Sequence, residues 1–193
     1  MDPKIRSNTT WYPNIFLLIG LVGLFGLAVL GGQLLGNNQA VLSVISSAGY
    51  IGVFIAAFIA GLNVLIPIPV ATLTPLFVSA GLAIPAIIVT LALGTLAADA
   101  VGYFIGHTGR AIIATKYPRV LRYTEKIADQ HPIVIMLFVG AYAAFVPLPN
   151  EVILIPLALS GISWRLLVIP LFVGALVIQT LLVTGVSLLP TFI

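Results

Sequence analysis

Ile66-Pro67-Ile68-Pro69-Val70 and, 80 residues further on, Val146-Pro147-Leu148-Pro149-Asn150 decide how this chain is read. Two prolines one residue apart cannot both sit inside a regular helix. Each removes an amide donor, and the second disfavours α geometry at the residue between them. Each pair interrupts a hydrophobic run: 41–66 and 70–84 flank the first break, 132–146 and 150–162 the second. The 70–84 arm is roughly 22 Å long at 1.5 Å per residue, short of a hydrocarbon core of about 30 Å. At the same offset stand Ser79-Ala80-Gly81-Leu82 and Leu159-Ser160-Gly161-Ile162, followed by the long apolar runs 86–106 and 166–189. Each unit therefore reads apolar arm, Pro-x-Pro, apolar arm, glycine, long span. Paired broken segments in two halves of a chain point to an internal repeat and to a transport site between the halves.

Composition fixes the solvent. Of 193 residues, 61% are hydrophobic and 7% charged, and mean hydropathy is +1.22. A soluble domain carries about 25% charged residues, so thirteen charges cannot dress a water-facing surface of this length. With no cysteine, a disulfide scaffold and a thiolate-ligated metal are excluded, and the apolar content excludes disorder. An all-α integral membrane protein remains, because lipid demands that backbone groups pair within the segment. Residues 15–35 are long enough to cross and too long for a secretory h-region. Trp11 and Tyr12 precede them, where an interfacial aromatic belt is expected.

The charges set a topology. Lys4 and Arg6 precede the first span, Arg110, Lys116, Arg119, Arg122 and Lys126 share the hydrophilic stretch 107–131, and Arg165 sits between two apolar runs. Basic residues flank the cytoplasmic ends of spans, so all eight should share one side. Re-entrant hairpins with tips at Pro67 and Pro69 and at Pro147 and Pro149 achieve this. Residues 15–35 cross outward, the first hairpin dips in from outside, and 86–106 crosses inward. The second hairpin dips in from inside, and 166–189 crosses outward. The expected fold is thus an inverted repeat of two re-entrant helical hairpins with three to four full transmembrane helices. Its parts are residues 1–36 (tail and first span), 37–106 (first repeat), 107–131 (cytoplasmic basic segment, with an amphipathic helix over 115–130 as one option) and 132–193 (second repeat).

Two acids fall at membrane depth, Asp99 and Glu151. On the 86–106 helix, Thr95, Asp99, Tyr103 and His107 recur every four residues and form a polar stripe. Gly94, Ala98, Gly102 and Gly106 form a small-residue stripe beside it, suited to close helix packing within one chain or between two copies. Glu151 follows Pro149-Asn150 at a helix start, where a carboxylate also suits the helix dipole. An ionised acid in the membrane costs about 2.5–3.5 kcal/mol on insertion scales, so Glu151 is expected to exchange a proton. Asp99 has the alternative task of bonding the broken backbone. Asn63, Thr72, Thr74, Ser79 and Gln179 are weaker candidates that could satisfy backbone freed by the prolines. His107 and His131 lie apart, and no metal, cofactor, nucleic-acid or catalytic motif is present. A single aspartate at depth does not make an aspartyl protease, so no enzyme activity is expected.

The run Gly94-Thr95 then Asp99-Ala100-Val101-Gly102-Tyr103-Phe104-Ile105-Gly106-His107, together with Pro67-Ile68-Pro69, Ala80-Gly81, Glu125, His131 and Phe145-Val146-Pro147, resembles the DedA or VTT-domain membrane family over residues 49–190. The resemblance implies two inverted re-entrant hairpins and movement of phospholipid or polyprenyl phosphate across a bilayer. Two departures stand out. Val70-Ala71 occupy the place of the family's acid in the first hairpin, and Asn150-Glu151 occupy the place of its arginine in the second.

The expected function is therefore a lipid translocase or transporter in the plasma membrane, with the N-terminus and 107–131 cytoplasmic. Asp99, Glu151, Tyr103, Asn150 and Thr95 are expected to carry substrate or proton. The partners expected are membrane lipids, a lipid or small-molecule substrate and protons, with a homo-oligomer left open. A small-solute or ion exporter and a non-transporting membrane scaffold are the alternatives.

Overall fold

The structure, a computed structural model, describes residues 38–62, 70–116, 130–146 and 148–188. The expected first span 15–35, the basic stretch beyond Lys116, Asn63 and the tip residues Pro67, Pro69 and Pro147 lie outside them. Every regular element among the described residues is helical. They are α1 (Gln39–Gly61), a 3-10 turn (Val70–Leu73), α2 (Thr74–Ser79), α3 (Ile84–Lys116), α4 (Pro132–Phe145), α5 (Glu151–Ser160) and α6 (Trp164–Leu188). Three are long and apolar enough to cross a membrane: Gln39–Gly61, Ile84–Lys116 and Trp164–Gly185. Large side chains such as Ile133, Leu137, Phe138 and Phe145 are exposed on α4, a surface that lipid tolerates and water does not.

The boundaries follow from local chemistry. The Asn38 side chain accepts from the amides of Ala40 (3.0 Å) and Val41 (3.3 Å) and caps α1. His131 accepts from Ile133 N–H at 3.3 Å through Nδ1 and, with Pro132 following, opens α4. Helices α2 and α5 end alike. Gly81 (φ 89°) and Gly161 (φ 88°) take the left-handed conformation. Leu82 N–H donates to the Phe77 carbonyl (3.1 Å), and Ile162 N–H to the Leu157 carbonyl (3.3 Å). This is the bond pattern of a glycine-closed helix with its hydrophobic lock.

Three features differ from the expectation. Helix α3 continues ten residues past 106 to Lys116, because no proline or glycine cluster intervenes before Pro118 and the isolated Gly109 is not enough to stop it. Its 33 residues span about 50 Å, more than a hydrocarbon core, so the beginning of the basic stretch is helix. Helix α1 breaks at Gly49 (φ 53°, ψ −142°), leaving 50–61 as the arm that meets α3. Pro156 and Pro170 lie inside α5 and α6, where the hydropathy reading passed over them.

Helix α3 runs through the middle. Helix α1 packs along it, α4 packs along α6, and each short arm lies against the long helix of the other half: α5 on α3, and the 3-10 turn and α2 on α6. Named contacts give the levels. Near the start of α3, Ala83 N–H donates to Tyr50 Oη at 3.0 Å, while the far end of α1, Gly61, abuts Ala98. So the 50–61 arm runs parallel to α3 and stops halfway down it. Likewise Gly140 lies at Pro170 and Ala143 at Gly174, so α4 runs with α6 and ends near its middle. Helices α3 and α6 are antiparallel: Tyr103 meets Trp164, Thr95 meets Gln179, and Leu91 shares a cluster with Val183.

Two apolar cores result. One holds Phe77, Ile87, Leu91 and Val183, with Leu82 and Leu73 at its edge. The other holds Leu157, Leu167, Leu171, Tyr103 and Ile162, with Ile153 at its edge. Each residue of the first set stands 80 positions from one of the second. The correspondence does not extend to the first arms: Val53 and Ala57 are buried in the first core, whereas Ile133 and Leu137, 80 positions on, are 58% and 69% exposed.

Candidate functional site

The site is built where the second break meets the middle of α3. Helix α4 ends at Phe145, and Val146 turns extended (φ −96°, ψ 118°). The chain re-enters a helix at Glu151 with Asn150 as its cap residue. The Asn150 side chain does not cap the helix. Its Nδ2 donates instead to both oxygens of Asp99, at 3.1 and 3.0 Å. Asp99 is 3% exposed and Glu151 5%. The charge of Glu151 bears on Asp99, so the two carboxyls share one electrostatic neighbourhood.

Gly102 makes this approach attainable. A Cβ there would lie 3.0 Å from Glu151 Cγ. One turn on, a Cβ at Gly106 would lie 3.0 Å from Ala158 Cβ and 3.2 Å from Ile155 Cα. The small-residue stripe therefore divides its work. Gly94 receives Phe54, Ala57 and Phe58 of α1, Ala98 faces Gly61, and Gly102 and Gly106 receive α5. All four positions pack within the chain.

The polar stripe also divides. Thr95 back-bonds to the Leu91 carbonyl (3.0 Å) and accepts from Gln179 Nε2 at 3.4 Å. Gln179 Oε1 is buried with no hydrogen-bond partner among the described residues. Tyr103 reaches away from the acids and donates to the Ile162 carbonyl at 2.7 Å. It stacks on His107 (5.8 Å, 11°) and packs against Trp164. So Asp99, Asn150 and Glu151 come together, Thr95 brings in Gln179, and Tyr103 belongs to the closure of α5. Of the remaining candidates, Thr72 and Thr74 are fully buried beside α6, and Ser79 is exposed at the end of α2. Pro149 presents its carbonyl to Tyr142 Oη at 3.4 Å and to Val152 N–H at 3.2 Å.

Sequence reading did not single out Tyr142, on whose hydroxyl the charge of Glu151 bears. Only the break geometry brings α4 back over Pro149. It also did not foresee Arg110 against Gly161. A Cβ at Gly161 would strike that guanidinium, which sits where the last carbonyls of α5 favour a cation. Arg110 is eleven residues beyond Asp99, about 16 Å along the helix, so it serves the far end of α5. The described bases Arg110, Lys116 and Arg165 all lie toward helix ends. The cluster at mid-height is built of acids, amides and hydroxyls.

No protein-family model matches the chain, and no curated protein and no solved structure matches it.

Proposed function

We propose that this chain is a membrane transporter of the DedA type, a lipid translocase in which two re-entrant hairpins enter from opposite faces and meet at a polar site. Several observations support the re-entrant reading. Both arms, 50–61 and α4, run alongside a long helix and stop near its middle. The long helices are antiparallel, which is what an inverted repeat requires. Six core positions on the short arms and long helices correspond at an 80-residue offset, though those on the 50–61 arm and α4 do not. Non-helical backbone at that depth is tolerated where protein buries it or a wet cavity is lined. Under this reading Lys116 and Arg165 face the cytoplasm, with the N-terminus.

One observation carries the functional reading: two acids and an amide converge at mid-height on α3, at a helix break, far along their helices from the described bases. Ionisable groups within membranes face paths for ions or substrates because isolation in lipid is costly. Proton exchange at Glu151 would couple the cycle. The experiment is lipid translocation in reconstituted vesicles by Glu151→Gln and Asp99→Asn. Each is expected to lose activity at least about tenfold, ~1.4 kcal/mol in barrier, while remaining folded. Full activity in both variants removes the coupling role. A small-solute or ion exporter is the second reading, favoured by the acid-rich cluster, to which the described residues add no counter-charge for an anionic phosphate at that level.

A further inference from the structure

Residues 39–48 lie ahead of the break at Gly49 in α1, and the acid cluster makes no use of them. At 3.6 residues per turn their side chains sort into three sides of the helix. Gln39, Ser43, Ser46 and Ser47 fall within an arc of about 100°, and all four are exposed. Val41, Leu42 and Ile45 take the next side. They are half-buried, and Ile45 packs on the core of Val53, Phe77 and Ile87. Ala40, Val44 and Ala48 take the third side, which is apolar and exposed, Val44 at 66%. One side is thus polar, one is closed by protein, and one is an apolar face open to the surroundings.

The level of the segment tells what meets the third side. Tyr50 Oη accepts from Ala83 N–H at 3.0 Å, and further along Ala57 and Gly61 face Gly94 and Ala98. The arm 50–61 therefore starts where the apolar stretch of α3 starts, and with it the bilayer. Continued straight, α1 would lift Gln39 about 16 Å beyond that edge and hold Val41, Leu42, Val44 and Ile45 in water. Gly49 prevents this. Its φ of 53° and ψ of −142° are open to glycine and strained for a residue with a Cβ, and Ile45 comes back onto the core. A helix over 39–48 is about 15 Å long, half a hydrocarbon core, so the segment does not cross. Beyond the break the same helix exposes Ile51, Ile55 and Ile59, a row that suits lipid, so lipid already reaches the entrance of the arm.

We propose that residues 39–48 form an interfacial helix lying along the membrane surface, with Ala40, Val44 and Ala48 resting on the acyl boundary and the serine side in the headgroup water. The partner is the lipid surface itself, whatever its charge. The chain has no charged residue between Arg6 and Asp99, so the contact is made by apolar burial, without the basic face that draws anionic lipid. The serines keep the segment from sinking into hydrocarbon and the break keeps it from standing out in water. The segment thereby fixes the depth at which the arm 50–61 enters. That the leaflet is the one opposite Arg165 rests on the topology proposed above; the contact with lipid does not.

The test places single cysteines along 40–48 in the full chain, which has none of its own, and attaches a nitroxide to each. The labelled chains are reconstituted in vesicles of phosphatidylcholine and in vesicles of equal parts phosphatidylcholine and phosphatidylglycerol. Collision with oxygen reports lipid, and collision with a nickel chelate reports water. Labels at Ala40, Val44 and Ala48 should favour oxygen, those at Ser43, Ser46 and Ser47 nickel, and those at Val41 and Ile45 neither. Val44→Cys and Ser46→Cys should differ in depth by up to about 10 Å, the width of a helix, and the pattern should be the same in both lipids. A depth that changes steadily by about 12 Å from position 40 to position 48 means a helix standing in the bilayer and overturns the proposal. So does free nickel access at every position. Should a label at Val41 or Ile45 prevent folding, the six exposed positions decide alone. Reaction of Ser46→Cys with an impermeant maleimide from the same face as Arg165→Cys refutes the topology, while the alternation of oxygen and nickel access still upholds the surface helix.

Discussion

Tyr103 illustrates how a residue placed by pattern acquires its task from its neighbours. Its position on the stripe with Asp99 suggested a shared site, yet its hydroxyl closes the turn after α5 by donating to Ile162. Tyr103→Phe leaves that carbonyl without its donor and should lower stability by about 1–3 kcal/mol, read as a shift in a denaturant titration. Transport per folded molecule should be little changed. Gly94 and Gly102 make a second comparison. A Cβ at Gly94 would meet Phe54 O at 2.7 Å and Ala57 Cβ at 2.6 Å, whereas at Gly102 it would meet a side-chain methylene of Glu151 at 3.0 Å. Backbone cannot step aside; a glutamate can. Gly94→Ala should therefore separate α1 from α3 and cost about 1–3 kcal/mol. Gly102→Ala should melt nearly as the parent does but lose transport, because it displaces Glu151. The reverse pattern in melting and transport assays would contradict this assignment.

At the scale of elements, the ends of α2 and α5 offer a controlled pair. Gly81 and Gly161 share a left-handed φ, but Gly81 has open space around a would-be Cβ and Gly161 has the Arg110 guanidinium. Alanine at Gly81 should cost about 1–2 kcal/mol for conformation alone. Alanine at Gly161 should cost more, and the excess should vanish when Arg110→Ala is added, a coupling that a double-mutant cycle measures. The ends of these elements were legible in sequence: Gly81, Gly161, Pro85 and Pro149 each act through their own backbone. The kink at Gly49 and the run of α3 to Lys116 were less so. A lone glycine inside an apolar stretch reads the same whether the chain bends or continues, and hydropathy falls at His107 where helix propensity does not.

For the whole molecule, the choice lies between re-entrant arms and short arms that cross. The chain has no cysteine, so single substitutions report cleanly. Lys116→Cys and Arg165→Cys should react with a membrane-impermeant maleimide from the same face. Leu148→Cys, at the second break, should resist the reagent from both. Rapid labelling of Leu148→Cys from the face opposite Arg165 would mean that α4 crosses the bilayer, and the inverted hairpins would have to be abandoned.

The chain by itself determined that it is helical, that lipid is its solvent, where its helices break, and that Asp99 and Glu151 are acids with nowhere ordinary to go. These follow from composition and from backbone constraints that act within a few residues. Only the tertiary structure decided that Asn150 turns from capping to bind Asp99, that Gly102 admits Glu151, that Tyr103 serves the end of α5, and that Gln179 arrives from the other half with a bare carbonyl. Such meetings depend on how closely two helices approach and how they are rotated. Small residues at contacts fixed by separate parts of the chain set both, and no local pattern encodes the result.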